Sequence, residues 1–182
     1  MERIIKTCER QDQAAALDFV ERVFTDYKDA QEGKMVRRLV EEIRSKTYYL
    51  PELELMMTDG RGEIIGYCMF SRFHIEGKFE DELLLLTPVA VKTQLQRQHI
   101  SKKLIEHGLQ KARRMGYRAV IVEGNPRNYR ARGFKTAADF GIIAGEGVHL
   151  PHVDCLMAQE LVSGALAHIR GVLDSGFYDA LA

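Results

Sequence analysis

The stretch LLLLTPVAVKTQLQRQHISKKLIEHGLQKARRMG, Leu83 to Gly116, constrains the fold of this chain more than any other. An apolar run is interrupted by a proline, resumes as Val-Ala-Val, crosses a glutamine- and arginine-rich turn and opens into an amphipathic segment. Strand, turn and helix N-terminus in that order is how α/β proteins commonly build anion sites. Pro88 has no amide to donate, so pairing to one neighbouring strand must fail or bulge there, and the sheet is expected to splay. Val89, Ala90 and Val91 then carry backbone groups that need other partners. An extended ligand bearing amides, such as pantetheine, supplies them as an added strand would.

From Ile100 onward, Ile100, Leu104, Ile105, Leu109, Ala112 and Met115 recur with helical spacing and predict a buried stripe, with Lys102, Lys103, Glu106, Arg113 and Arg114 largely outside. The helix N-terminus falls within QRQHIS. Unpaired amides of a first helical turn and the macrodipole favour a bound phosphate there, and Arg97 and Lys102 add charge-assisted contacts. A pyrophosphate beside a pantetheine arm describes coenzyme A.

The rest of the chain reads as an α/β framework for that element. RIIKTC predicts a strand. Asp12 stands as an N-cap before QAAALDFVERVF, whose Ala16, Phe19, Val20, Val23 and Phe24 keep helical spacing. KMVRRLVEEIRSK places Met35, Val36, Leu39, Val40 and Ile43 on one face of a second helix. PELELMMTDGRGEIIGYCMFSRF reads as a hairpin turning at Asp59-Gly60, since Gly tolerates positive φ. Next come the strand RAVIVEG, an Asn-Pro turn at Asn125 and Pro126, a short helical piece through Tyr129, and a late strand DCLMAQEL. The expectation is a central mixed, mainly antiparallel sheet splayed near Pro88, with helices on both faces.

With 182 residues and no Pro/Gly/Ser-rich linker, residues 1–182 read as a single domain. Lys+Arg 26 against Asp+Glu 26 removes the electrostatic argument for a nucleic-acid or anionic-membrane partner. Cys8, Cys68 and Cys155 are odd in number and lack CxxC spacing, so neither a disulfide framework nor a metal ribbon is indicated. The N-terminus has no apolar h-region and no run approaches a membrane span, so a soluble cytoplasmic protein is expected.

At these residues the chain resembles the GNAT superfamily of acetyl-CoA-dependent N-acetyltransferases, over nearly its whole length. The resemblance is carried by LTPVAVKTQLQRQHISKKLIEHGLQKARRMGYRAVIVEGNPRNYRARGF, and by the MAQEL strand. It is closest to a bacterial branch without defined substrates. It implies the GNAT fold, acetyl-CoA as cosubstrate and no metal. The implied cofactor residues are Pro88, Val89, Ala90, Val91, Gln96, Arg97, Gln98, His99, Ile100, Ser101, Lys102 and Asn125. The acceptor would be a small-molecule or peptide amine, and the protein a monomer or homodimer. In the family's pyrophosphate loop, Q/R-x-x-G-x-G/A, His99 stands where Gly is usual and Ser101 where Gly or Ala is. Either the loop tolerates His99 with its imidazole beside a phosphate, or the site is weakened and the chain is a catalytically weak acyl-CoA-binding module.

On the residues alone Tyr129 reads as a core tyrosine under the last strand. The resemblance makes it the acid that protonates the departing thiolate, a role suited to a phenol of ordinary pKa about 10. The attacking amine must lose a proton, and Glu123, at the carboxyl end of AVIVE, is the leading candidate base; the alternative is a solvated strand-end carboxylate. Glu54, His74 and Glu82 are further candidates. His149, His152 and Cys155 in HLPHVDC lack a second ligand pair at metal-binding spacing and read as surface-loop residues. KARRMGYR reads as the wet face of a helix.

Overall fold

Period-two and period-3.6 apolar patterns alternate along this chain, and the computed structural model, which describes residues 2–174, follows them closely. The elements are β1 Arg3–Thr7, α1 Gln13–Tyr27, α2 Ala30–Ser45, β2 Glu54–Asp59, β3 Ile64–Arg72, β4 Leu83–Val91, α3 Ile100–Arg114, β5 Ala119–Glu123, α4 Pro126–Arg130, β6 Lys135–Thr136, β7 Ile142–Ala144, β8 Leu156–Glu160 and β9 Gly171–Leu173. Strand neighbours run β1-β2-β3-β4-β5-β8-β6 in a seven-stranded mixed sheet, and β7 pairs with β9. Residues group into two compact units, Met1–Phe70 with Thr87–Gly108, and Ser71–Leu86 with Leu109–Ala182.

In the first unit β1, β2 and β3 form antiparallel ladders, from Arg3↔Asp59 to Thr7↔Leu55 and from Glu54↔Met69 to Thr58↔Ile64. Side chains alternate between faces along a strand. Gly66 and Phe70 of β3 share one face. A Cβ at Gly66 would lie 2.5 Å from Ile100 Cγ2 and 2.8 Å from Leu104 Cδ1, so the missing side chain is what lets the start of α3 lie on the sheet. Tyr67 points to the opposite face, where it meets Glu54 and, through Glu54, Arg44 of α2. Helices therefore cover both faces. Helix α2 begins at Ala30, earlier than its apolar pattern implied, because Asp29 caps it by accepting from the Glu32 amide at 2.8 Å.

The hairpin turn differs in detail from the expectation. The left-handed residue is Gly62 (φ +81°), not Gly60. The Asp59 carboxylate accepts from the amides of Arg61 (2.9 Å) and Glu63 (3.0 Å), which widens the turn beyond two residues. Met115 also departs from the predicted stripe of α3: it is 38% exposed, and Ala112 is the last fully buried position of that stripe.

In the second unit β4 and β5 run parallel, and their ladder covers only Leu83↔Ala119 to Leu85↔Ile121. Beyond Ile121, β5 continues to Glu123 paired only with β8, from Ala119↔Glu160 to Glu123↔Leu156. Strand β5 is buried on both faces until Glu123, as its unbroken apolar run requires. The sheet therefore opens three residues before Pro88.

Glu54 is fully buried. It accepts from Arg44 Nε (3.1 Å) and Nη2, from Tyr67 Oη (2.8 Å) and from Tyr49 Oη (2.6 Å). Burial, reinforced by the Glu54 charge, pushes the Cys8 thiol up to about 12 and raises the Tyr49 and Tyr67 phenols, so all three stay protonated at neutral pH. Removing one partner of such a pair strands the other charge in the core. Arg44→Met is expected to destabilise the fold by about 3–5 kcal/mol, and Tyr49→Phe by about 1.5–3 kcal/mol. Urea unfolding of the two variants should rank them in that order.

Candidate functional site

The burial pattern of β4 changes at the splay. Leu83 to Leu86 are buried without interruption, whereas Thr87 to Val91 alternate, with Thr87, Val89 and Val91 partly open and Pro88 and Ala90 buried. The strand leaves the sheet through Lys92, whose amide donates to Ile65 O at 3.0 Å and whose ammonium pairs with Glu63. A short 3-10 turn, Thr93–Leu95, then leads into the loop Gln96–His99. All four loop residues are exposed, while Ile100 is buried.

The loop leads straight into the first turn of α3. His99 O accepts from Lys103 N at 3.0 Å, so the amides of Ile100 and Lys102 precede the first intrahelical bond and have no acceptor within α3. Arg97 and His99 both adopt left-handed φ of +62°. This is the conformation for which the usual glycine at the His99 position is suited. Lys102 sits on the first turn in a weak 3.8 Å pair with Glu106, both about half exposed. Pro88, Val89, Ala90 and Val91 and the run Gln96 to Lys102 all belong to the first unit.

The remaining expected residues lie in the second unit, on the turn that follows β5. Asn125 caps α4 by accepting from the Arg127 amide at 3.0 Å, and its carbonyl accepts from Tyr129 N at 3.2 Å. The Tyr129 ring packs edge-on to Phe134 (centroids 5.6 Å apart) and under the Arg132 guanidinium (5.8 Å). It also lies directly over Gly124, where a Cβ would come within 2.4 Å of Cε2. Glu123 ends β5 with its side chain exposed at the rim, and partial desolvation raises its carboxyl above the ordinary range.

The other candidate bases are engaged elsewhere. Glu54 is consumed by its buried partners. Glu82 meets His168 Nε2 at 2.9 Å and Arg118 Nη1 at 3.4 Å. His74 Nδ1 accepts from the Gly77 amide at 3.0 Å. A cavity of about 450 Å³ lined by Phe19, Arg22, Asp26, Glu63, Lys92 and Gln94 contains none of the expected cofactor residues. Among the described residues no group of three or more His, Cys, Asp or Glu side chains could hold a metal ion, and no helix is long and apolar enough to cross a membrane.

Three contributors escaped the sequence reading. Gly124 makes room for Tyr129. Asp154 ties down α4, accepting from Thr136 Oγ1 (3.1 Å) and pairing with Arg130 (3.1 Å), and these two partners hold its carboxyl below the usual range. Arg3 of β1 donates from Nη1 to the carbonyl of Gln98 at 3.0 Å and from Nη2 to the Gln98 side-chain oxygen. Only a glycine beside an Asn-Pro turn was visible as a signal beforehand.

The sequence profile of the Acetyltransferase (GNAT) family matches residues 10–140. An uncharacterized N-acetyltransferase of Escherichia coli K12, YhbS, is 32% identical over 101 residues, which is 56% of this chain and 59% of that protein. The crystal structure of E. coli YhbS in complex with CoA superposes with a TM-score of 0.83 at 23% identity, covering 96% of this chain and 89% of that one. A GNAT family acetyltransferase from Brucella melitensis, in complex with acetyl-CoA, is 30% identical with a TM-score of 0.63, covering 74% of this chain and 83% of that one.

Two substitutions test this geometry. Gly124→Ala is expected to cost about 1–3 kcal/mol in denaturant unfolding, since the new methyl must displace the Tyr129 ring. Glu123 has a folded-state pKa above its unfolded value, so its ionisation opposes folding, and the opposition disappears once pH falls below the unfolded pKa. Glu123→Gln should therefore raise Tm at pH 7 and lose that advantage at pH below about 4, as a pair of melting curves would register.

Proposed function

Because the chain belongs to the Acetyltransferase (GNAT) family, we propose that it transfers an acetyl group from acetyl-CoA to a primary amine by direct attack on the thioester. The observation that carries this reading is the cradle itself: a half-open strand from Thr87 to Val91 leading into a loop that ends at the N-terminus of α3, where the amides of Ile100 and Lys102 have no acceptor within the helix. Pro88, Val89, Ala90 and Val91 take the pantetheine arm. Gln96, Arg97, Gln98, His99, Ile100, Ser101 and Lys102 take the diphosphate, and Asn125 contributes from the α4 cap. The family match runs across both compact units, which supports treating the chain as a single GNAT domain.

In the proposed reaction the amine nitrogen attacks the thioester carbonyl and forms the C–N bond. The C–S bond breaks, and Tyr129 donates its phenolic proton to the departing thiolate. The ammonium proton passes through water to Glu123, whose raised pKa brings it nearer to neutrality as a base should be. The enzyme would work on a small-molecule or peptide amine in the cytoplasm, as a monomer or homodimer. The left-handed φ of His99 favours one second reading, a module that binds acyl-CoA with little turnover. Acceptor-dependent release of free CoA across a panel of amines separates the two.

Acetyl-CoA at a hundredfold excess over Kd should stabilise the fold by about 2.7 kcal/mol; absence of any thermal shift at millimolar ligand would remove both readings. Tyr129→Phe keeps the ring packing and should leave acetyl-CoA affinity nearly unchanged while lowering kcat about 10²–10⁴-fold. The comparison needs an acceptor that the wild type acetylates, and normal turnover by the variant would exclude Tyr129 as the acid.

A further inference from the structure

Two non-glycine residues, Arg97 and His99, hold left-handed φ in a loop of four, and Gln98 lies between them. L residues avoid that conformation, so neighbouring contacts must impose it. Gln98 is where those contacts converge. Its carbonyl accepts from Arg3 Nη1 at 3.0 Å, and its side-chain oxygen accepts from Arg3 Nη2. The Arg3 backbone opens the β1–β2 ladder opposite Asp59, which anchors the base of its side chain. It makes no ion pair with a carboxylate among the described residues, so its charge is directed at the loop alone.

The peptide plane connects this contact to the ligand. In a trans peptide the carbonyl oxygen of one residue and the amide hydrogen of the next point in opposite directions. An arginine that holds the Gln98 carbonyl therefore holds the His99 N–H facing the other way. That amide donates to no group among the described residues. It stands immediately before the first-turn amides of α3, and together they form a row of donors for an anion.

Resting on the reading that this loop takes the diphosphate of acetyl-CoA, we propose that Arg3 is a positioning residue for that diphosphate, locking the Gln98–His99 peptide so that the His99 amide is presented to a phosphate oxygen. The guanidinium does from outside the loop what composition cannot, because the loop lacks the glycine that would adopt the left-handed turn unaided.

Isothermal titration of wild type, Arg3→Met, Arg3→Lys, His99→Gly and the Arg3→Met/His99→Gly double variant, with acetyl-CoA and with S-acetylpantetheine, tests this. Arg3→Met should weaken acetyl-CoA about tenfold, the equivalent of one lost hydrogen-bonded contact to the loop, and leave S-acetylpantetheine, which has no diphosphate, unaffected. Arg3→Lys, which keeps one donor, should fall between and serves if Arg3→Met does not fold. In the His99→Gly background the loss should shrink to about threefold or less, since glycine holds the turn without help. Equal weakening of both ligands would assign Arg3 to general stability, and an unchanged acetyl-CoA affinity would exclude the role outright; either overturns the proposal with the cofactor reading intact. Wild-type protein that binds neither ligand overturns the cofactor reading, and the proposal with it.

Discussion

A strand that carries a proline cannot hydrogen-bond to both neighbours along its whole length, and β4 is organised around that fact. Its first half, Leu83 to Leu86, is buried on both sides and holds the ladder to β5 as far as Leu85. Its second half alternates in burial, and Lys92 then donates to Ile65. One strand thus serves as core at its start and as an open edge at its end. The chain leaves that open end through a short 3-10 turn and the loop Gln96–His99 before α3, so the half-exposed strand and the helix N-terminus are close neighbours along the chain within the first unit. The direction of α3 is fixed in turn by Gly66, which lets Ile100 and Leu104 approach the sheet to a distance no side chain would permit.

The carboxylates of this chain show how burial divides structural from chemical roles. Glu54 is the most buried and the least available, since Arg44, Tyr49 and Tyr67 occupy its oxygens and an incoming amine would find no lone pair to meet. Glu82 is held between His168 and Arg118. Glu123 differs in having a raised pKa, caused by partial desolvation, while its side chain still reaches the surface. In the proposed reaction these two properties, raised basicity and access, are what suit Glu123 better than Glu54 or Glu82 to accept the amine proton.

Much of this was legible in the residues. The stripe from Ile100 to Ala112, the interruption at Pro88 and the Asn-Pro turn before Tyr129 are local signals, and each element they predicted is present; α1 also begins after Asp12, but the Asp12 carboxylate does not cap it, accepting instead from the Glu9 amide and pairing with Lys6. What escaped was either non-local or set by competition between neighbours. Arg3 meets Gln98 across ninety-five positions of sequence, and no pattern of spacing announces such a contact. The hairpin moved its left-handed residue from Gly60 to Gly62 because the Asp59 carboxylate captured two amides, a side-chain bond that outweighed the simple dipeptide signal. The short strands β6, β7 and β9 span two or three residues, too few for any periodicity to register.

Arg97 and His99 combine local backbone strain with support from a distant strand. A glycine at position 99 would take its φ without strain, but it would also take many others, and a ligand binding to such a loop must bear the entropy of ordering it. His99 restricts the alternatives at the expense of local strain of about 1–2 kcal/mol. The bonds from Arg3 to Gln98 offset that strain in the folded protein before any ligand arrives. In the proposed site such a loop exchanges intrinsic ease of conformation for preorganisation, with the support coming from Arg3 of the edge strand rather than from the loop's own composition.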